Sequence, residues 1–423
     1  MSQKGYLPRL CDVELQNALE SSGAVLIEGA KWCGKTRTGL HAAKSVLYLQ
    51  DPDVRASNLA LADTKPSLLL QGDTPRLIDE WQMAPVLWDA VRFEVDRRGE
   101  LGQFILTGSA VPRDRATAHT GTGRIVRVRM RTMSLQESGE SSGIVSLRAL
   151  FAGTQEDAGG RAAASIEELA FLLCRGGWPA GLRLKDAAAL RTATDYVEAL
   201  IHHDVSEVDG VEKNPERVRL LMRSLARNTA TTANYATLKG DLDASDLGFS
   251  EKTLASYLNA LRRIFVVEEL PAWMPSLRSK TAIRTSPKWH FVDPSIAAAV
   301  LRAQPDALLK NFETFGFLFE SLCTRDVRIY AQAADGDVFF YRDKSGLEAD
   351  LVVRLRDGRW GAIEVKLGAQ AIELAARSLL RLADRVDPAK MGAPSFLLVL
   401  TGGEYAYRRP DGVWVVPLAC LGA

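Results

Sequence analysis

Two groups of residues in this chain have types and spacings suited to chemistry on phosphates and metals. The first is Gly29-Ala30-Lys31-Trp32-Cys33-Gly34-Lys35-Thr36, a G-x-x-x-x-G-K-T pattern. It follows the apolar run Ala24 to Glu28 and precedes a stretch, Arg37 to Lys44, compatible with a helix. Strand, glycine loop and helix in that order curl backbone N–H groups around phosphate oxygens, backed by the partial positive charge of the helix N-terminus. In such a loop Lys35 reaches the β- and γ-phosphates of ATP, and the Thr36 hydroxyl ligates Mg²⁺. Trp32 and Cys33 occupy positions the pattern leaves free, and take no role beyond belonging to the loop.

Downstream, Arg76-Leu77-Ile78-Asp79-Glu80 reads as a short apolar strand ending in two acids. After a phosphate-binding loop, Asp79 is expected to support Mg²⁺ and Glu80 to polarise the attacking water, although an Asp-Glu pair also opens helices. A further strand, Gln103 to Thr107, ends in Gly108-Ser109, so the hydroxyl of Thr107 or Ser109 is expected between the metal-bound carboxylate and the γ-phosphate. Arg124 precedes the alternating run Ile125 to Met130. It is a candidate arginine finger for a neighbouring subunit's γ-phosphate, or equally a solvated arginine at a strand start.

The second group lies in the last third of the chain. Glu320 is the acid within an apolar helical run, Phe315 to Leu322. Val338 to Tyr341, Ala349 to Val353 and Trp360 to Lys366 read as strands, followed by a helix from Ala371 to Leu382. Adjacent strands set Asp350 beside Glu364, and period two sends Glu364 and Lys366 to one face while Ile363, Val365 and Leu367 bury the other. Two carboxylates and a lysine so arranged can hold Mg²⁺ and orient a water, with Glu320 as a third carboxylate. The same residues would also make an ordinary Glu–Lys pair on a hairpin.

The order of these motifs, with Asp79-Glu80-Trp81-Gln82, Ile105 to Ser109, Gly123-Arg124 and Met133-Ser134-Leu135-Gln136-Glu137, resembles the AAA+-type ATPases that carry a C-terminal DUF4143 domain. The resemblance covers nearly the whole chain. It implies a five-stranded core with Thr107 or Ser109 at the sensor position and Arg124 as the candidate finger. Where that family commonly has arginine in its loop, this chain has Lys31, which keeps the charge. Gly177-Trp178-Pro179 resembles the Gly-x-Pro element in the lid of related signalling ATPases, which implies that Pro179 meets the nucleotide base; a Gly-Pro loop between helices reads the same way. Asp350, Glu364 and Lys366 resemble the PD-(D/E)xK nuclease superfamily, with Ala349 in place of the proline.

These residues need elements to position them. The chain has 423 residues, 47% hydrophobic and 25% charged, enough for two or three ordinary domains. Its 53 basic and 52 acidic side chains leave a formal charge of +1, so any nucleic-acid surface must be a local patch. No apolar run approaches the ~20 residues that cross a bilayer, and Met1 to Leu10 lacks a signal peptide's apolar core. Cys11, Cys33, Cys174, Cys323 and Cys420 are scattered without C-x-x-C spacing, which favours a reducing cytoplasm.

Between the two groups, Glu137 to Arg161 is polar and glycine-rich, with a strand or helical turn near Ile144 to Phe151. Ser165 to Cys174 reads as a helix opened by a Ser165–Glu168 capping box, and Ala187 to Asp204 and Lys213 to Asn228 as helices. A short helix at Tyr235 to Lys239, a longer one capped by Ser250, and a strand from Ile264 to Leu270 form a winged-helix pattern. Lys252, Asn259, Arg262 and Arg263 could face a groove, but Glu251, Glu268 and Glu269 dilute the charge, so a packing role competes with DNA binding.

The expected fold is α/β: a P-loop ATPase core over residues 1–136 with a parallel sheet, a linker and helical lid over 137–210, a winged-helix-like region over 211–290, and a restriction-endonuclease-like α/β domain over 291–423. The expected function is a Mg²⁺-dependent ATPase coupled to a nuclease-like tail acting on nucleic acid, with a homo-oligomer implied by Arg124 and no membrane partner. The alternatives are a nucleotide-controlled switch or assembly protein with an inactive tail, and a DNA-bound ATPase regulator acting through the winged helix.

Overall fold

The structure is a computed structural model that describes residues 5–109, 121–156, 159–208, 210–243, 248–275 and 286–423. Met1 to Lys4 and, within the glycine-rich linker, Asp157-Ala158 lie outside the described residues. The chain forms two compact units: residues 1–132 with 203–213 and 259–266, and residues 133–202 with 214–258 and 267–423.

The first unit is built on a five-stranded sheet. Its strands are β1 (Ala24–Glu28), β2 (Ser45–Tyr48), β3 (Arg76–Asp79), β4 (Phe104–Gly108) and β5 (Ile125–Arg129), in the order β2-β3-β4-β1-β5. Every pairing is parallel. A parallel sheet must be covered on both faces, and alternate residues of one strand supply both cores. From β1, Ala24 and Leu26 pack with Ile78, Phe104, Trp81, Trp88 and Val91, while Val25 and Ile27 pack with Leu15 and Leu19 of the helix Cys11–Ser21. Such strands read as apolar runs, and β1 and β4 are marked further by Gly29 and Gly108 at their ends. The helix Lys35–Ala42 leaves the loop after β1 with Gly34 at its N-cap in the left-handed region, φ 110°. That backbone conformation favours glycine.

In the second unit the helix Ile166–Arg175 carries the capping box in full: the Ser165 side chain accepts from the Glu168 amide, and the Glu168 side chain accepts from the Ser165 amide. The next helix, Asp186–Ala199, is shorter than the expected 187–204, because Leu200–Asp204 continues as a π-turn. Asn214 caps the helix Pro215–Arg227. Helices Tyr235–Asp243 and Glu251–Arg263 follow. The latter is divided between the two units, residues 259–263 belonging to the first. The expected strand at Ile264 to Leu270 begins only at Val267, after Phe265 at φ 62° has ended the helical path.

The remaining strands are β6 (Val145–Ser146), β7 (Val267–Leu270), β8 (Lys288–Phe291), β9 (Gly336–Arg342), β10 (Glu348–Leu355), β11 (Trp360–Lys366), β12 (Leu397–Thr401), β13 (Tyr407–Arg408), β14 (Trp414–Pro417) and β15 (Leu421–Gly422). β7 and β8 pair antiparallel, and β6 pairs with β15. A six-stranded sheet runs β13-β14-β12-β11-β10-β9, antiparallel from β9 to β11 and parallel across β11, β12 and β14. The helix Ile372–Arg385 covers one face through Ala375, Ala376, Leu379 and Leu382, packed on Val352, Trp360, Ala362 and Val399. The long helix Phe312–Ala333 also belongs to this unit, its Phe315, Leu318, Phe319 and Leu322 all buried. Where β10 meets β9 the register slips between Ala349 and Val352, a bulge that falls at Asp350. Bulges re-aim single side chains, and they recur beside functional sites.

Candidate functional site

The loop between β1 and the helix Lys35–Ala42 folds back tightly on its own unit. A Cβ on Gly29 would lie 2.1 Å from the Met130 carbonyl oxygen, so no larger residue fits. Trp32 stands exposed at φ 66°, while Ala30 and Cys33 are fully buried. Lys35 is buried, and its Nζ donates to the carbonyls of Gly29 and Ala30 at 2.9 and 2.8 Å. Arg9 braces the loop from outside, donating to the carbonyls of Cys33 and Arg131 at 2.8 and 2.9 Å. Lys31 pairs with acids far along the chain: its Nζ lies 2.6 Å from Asp204 Oδ1 and 3.7 Å from Glu207 Oε2.

Because β3, β4 and β1 run parallel, their carboxyl ends meet at one edge of the sheet. Asp79, at the end of β3, is fully buried. Its Oδ1 accepts from Thr36 Oγ1 at 2.8 Å and Thr107 Oγ1 at 2.7 Å. Gln50 Nε2 lies 3.4 Å from the other oxygen. Glu80 follows in the left-handed region at φ 56°, which turns its side chain out of the strand. Its amide donates to Thr107 Oγ1 at 3.2 Å, and its carboxylate accepts from Ser109 Oγ at 3.2 Å and from Gln82 Nε2. Gln82 in turn lies 3.4 Å from Ser109 Oγ. Lys35, Thr36, Asp79, Glu80, Thr107 and Ser109 thus converge on one sheet edge. A hydroxyl and a carboxylate sharing a hydrogen bond beside a lysine are the oxygen donors that Mg²⁺ accepts, so this set fits the ion.

Arg124 is not at that edge. In register, Ala24 faces Ile125 and Glu28 faces Arg129, so Arg124 precedes the amino end of β5, about a strand's length (roughly 15 Å) from the loop after Glu28. Its guanidinium donates to Asp96 Oδ1 at 2.8 Å on the surface. Pro179 belongs to the second unit, next to the buried Trp178, whose Nε1 donates to Ser295 Oγ at 3.0 Å. There the Gly177 amide donates to Asp293, which also pairs with the buried Arg325 at 3.0 Å.

In the tail, Leu351 faces Ile363 across β10 and β11, which sets Asp350 beside Glu364. Lys366 Nζ lies 2.7 Å from Glu364 Oε2 and 3.3 Å from Asp350 Oδ2. The Val365 amide donates to Asp350 Oδ2 at 2.8 Å. Glu320 comes to the same cluster from its helix. Lys288 joins from β8, 2.6 Å from Glu320 Oε1 and 3.5 Å from Asp350 Oδ1. Burial, and next the charge of Asp350, push the Glu364 carboxyl up to about 8 and the Glu320 carboxyl up to about 7. Burial works against ionised Asp350, but Lys288 and Lys366 outweigh it and hold that carboxyl below its usual range. As arranged, these residues do not fit a divalent metal: both Asp350 oxygens face ammonium groups. Among the described residues no group of three or more His, Cys, Asp or Glu side chains is arranged to hold one.

Gln82 and Lys288 are functional residues with little signal in the sequence. The first lies in the run Asp79-Glu80-Trp81-Gln82, two residues from Glu80, a separation that returns a side chain over a tight turn. The second carried only a weak signal, a lysine and a histidine two apart in the otherwise apolar-aromatic run Lys288 to Phe291.

Residues 21–139 match the family model described as an AAA domain, and residues 166–307 and 315–421 match two domains of unknown function, DUF8612 and DUF4143. Two relatives are the uncharacterized protein Rv2008c of Mycobacterium tuberculosis and the uncharacterized protein Mb2031c of Mycobacterium bovis. Each is 26% identical over 95% of this chain and 82% of its own length. Among solved structures, the Walker-type ATPase PABY2304 of Pyrococcus abyssi is similar at 12% identity and a TM-score of 0.40, over 69% of this chain and 94% of that one. No helix among the described residues is long and apolar enough to cross a membrane. The parallel sheet and its glycine loop lie inside the first match, so residues 21–139 are similar to an AAA domain and residues 315–421 to a DUF4143 domain.

Proposed function

We propose that this chain is a Mg²⁺-dependent ATP hydrolase whose first unit does the chemistry. The observation that carries the reading is the convergence of Thr36, Asp79 and Thr107 on one hydrogen-bonded point beside Lys35, with Glu80 next in sequence. The loop amides and Lys35 bind the phosphates, Lys35 exchanging the Gly29 and Ala30 carbonyls for phosphate oxygens. Thr36 and Asp79 are the residues that would hold Mg²⁺, which neutralises charge on the phosphates when bound. Glu80 orients water toward the γ-phosphorus and accepts its proton as the bond to the bridging oxygen breaks, leaving ADP and phosphate. Ser109 and Gln82 hold the Glu80 carboxylate in place before that step. The test is Mg²⁺-dependent phosphate release by wild type, Lys35→Ala and Glu80→Gln. A native protein that gives no heat of association with ATP and Mg²⁺ sinks the reading.

Arg124, at the far end of β5, is proposed to act only on a neighbouring copy's nucleotide, which makes a homo-oligomer the active form. Pro179 is proposed as a base contact. The helices Tyr235–Asp243 and Glu251–Arg263 with the β7–β8 pair have the element order of a winged helix, proposed as a packing module or a DNA-bound regulator. Scattered free cysteines fit a cytoplasmic setting.

For the tail we infer a restriction-endonuclease-like fold, supported by Asp350, Glu364 and Lys366 on adjacent strands with Glu320 from a helix. The contacts of ammonium groups with both Asp350 oxygens favour the second of the readings from sequence, a nucleotide-controlled switch whose tail does not cut. Cleavage of DNA or RNA by wild type that stops in Asp350→Ala would restore the nuclease. If it persisted in Lys35→Ala, cutting would not depend on the ATP site.

A further inference from the structure

Lys288 opens β8, and period two puts His290 on its face of the strand. Both side chains meet the helix Phe312–Ala333: Lys288 reaches Glu320, and His290 Nδ1 lies 3.2 Å from the Oγ of Ser321. Strand and helix are therefore held together at two neighbouring points, which fixes where the ammonium sits. Its Nζ is 2.6 Å from Glu320 Oε1, 3.5 Å from Asp350 Oδ1 and 5.7 Å from the centroid of the buried Phe340 ring. Only 10% of the side chain is exposed. Two carboxylates from different elements and an aromatic face make a built seat for a cation.

That seat is where a two-carboxylate nuclease-like site would hold its metal. Glu320, Asp350 and Glu364 face Lys288 and Lys366, and with Glu364 holding its proton the set is neutral at rest. A divalent ion added to that set would overcharge it and would meet a fixed ammonium within a few Å in a poorly screened interior. Without Lys288, and with a metal displacing the Glu364 proton, two negative charges remain, which one divalent ion neutralises.

We propose that Lys288 is a built-in counter-cation that takes the place of a divalent metal between Glu320 and Asp350, so that the folded tail binds such a metal only when this ammonium is removed or withdrawn. The proposal rests on the nuclease-like reading of the tail. Since the tether makes the ammonium's local concentration high, free metal competes poorly with it.

The test is Mn²⁺ binding to the nucleotide-free full chain, with free Mn²⁺ read by electron paramagnetic resonance. Wild type, Lys288→Met and Lys288→Gln are compared, each with and without Asp350→Asn, and circular dichroism verifies folding. Any site that survives Asp350→Asn lies outside the tail and is subtracted. Wild type is expected to show no Asp350-dependent site below millimolar Mn²⁺, and Lys288→Met or Lys288→Gln to gain one that is tighter by roughly tenfold or more. An Asp350-dependent site in wild type overturns the proposal while the nuclease-like reading stands, and needs no variant at position 288 to fold. Folded variants that gain no such site, with wild type also lacking it, overturn both.

Discussion

The two polar sites use the same residue types, carboxylates beside lysine, and hold them differently. At the sheet edge of the first unit the hydrogen-bond partners of Lys35 and Asp79 among the described residues are neutral. Lys35 rests on two backbone carbonyls, and Asp79 accepts from the hydroxyls of Thr36 and Thr107. In the tail the carboxylates meet Lys288 and Lys366 directly. A hydrogen bond between a charged group and a neutral partner has a net worth of about 1.5–3 kcal/mol, whereas removing one partner of a buried ion pair costs about 3–5 kcal/mol. The first site can exchange its internal bonds for those of a ligand at small cost. The second gives up its pairs reluctantly. The contrast teaches that a motif supplies atoms, and that their resting partners decide whether those atoms are available.

The largest effect is expected at Lys35. Its replacement by alanine removes the charge that meets the phosphates, and ATP affinity is expected to fall about 100-fold or more, measured by calorimetry. Affinity within a few-fold of wild type would mean that the loop's amides bind alone, and the contrast would lose its first half. Glu80→Gln is expected to lower kcat about 100-fold while ATP binding stays within a few-fold, the split that marks a group acting in the chemical step. Gln82→Ala sharpens the same point at smaller scale. With one neutral donor gone, kcat is expected to fall by several-fold, about 3–10, with KM little changed. An effect as large as that of Glu80→Gln would show that the donor to Glu80 is not exchangeable.

What could be read from the sequence follows the range of the interactions involved. Lys35 and Thr36 were legible because a glycine loop between strand and helix fixes its own geometry within eight residues, Gly29 to Thr36. Asp350, Glu364 and Lys366 were legible because strand periodicity carries position across one hairpin. Lys288 was not, since its partner Asp350 lies 62 residues away and no local rule pairs β8 with β10. Lys31 is the extreme: it reads as a loop residue, yet its partner Asp204 is 173 positions along the chain. The placement of Arg124 was hidden for another reason. Its spacing from the motifs gives no direction, and only the parallel pairing of β1 and β5 puts it at the edge opposite Lys35. Element ends were blurred where the backbone changes type without a proline or glycine, as at Leu200–Asp204 and Phe265.

The smallest effect tests the tail through pH. In the unfolded chain Glu320 and Glu364 titrate near 4.5, whereas in the fold they are pushed up to about 7 and about 8. The folded state therefore holds protons that the unfolded state has released. That contribution to stability is complete below about pH 4.5 and is lost as pH rises through 7 to 8. The buried His290 acts in the opposite sense, since burial and then the charge of Arg328 hold its pKa well below 6.5, but its contribution levels off above that ordinary value. Asp350, held low, matters only under still more acidic conditions. Between about pH 7 and 8.5 the melting temperature of metal-free wild type is expected to decline by a few degrees, and Glu364→Gln to decline less. Subtracting one melting curve from the other cancels His290 and every remote group. If the two proteins lost stability in parallel over that interval, Glu364 would be ionised at rest. The tail cluster would then carry a full negative charge that Lys288 and Lys366 do not cancel, and its seat would be as open to exchange as the one beside Lys35.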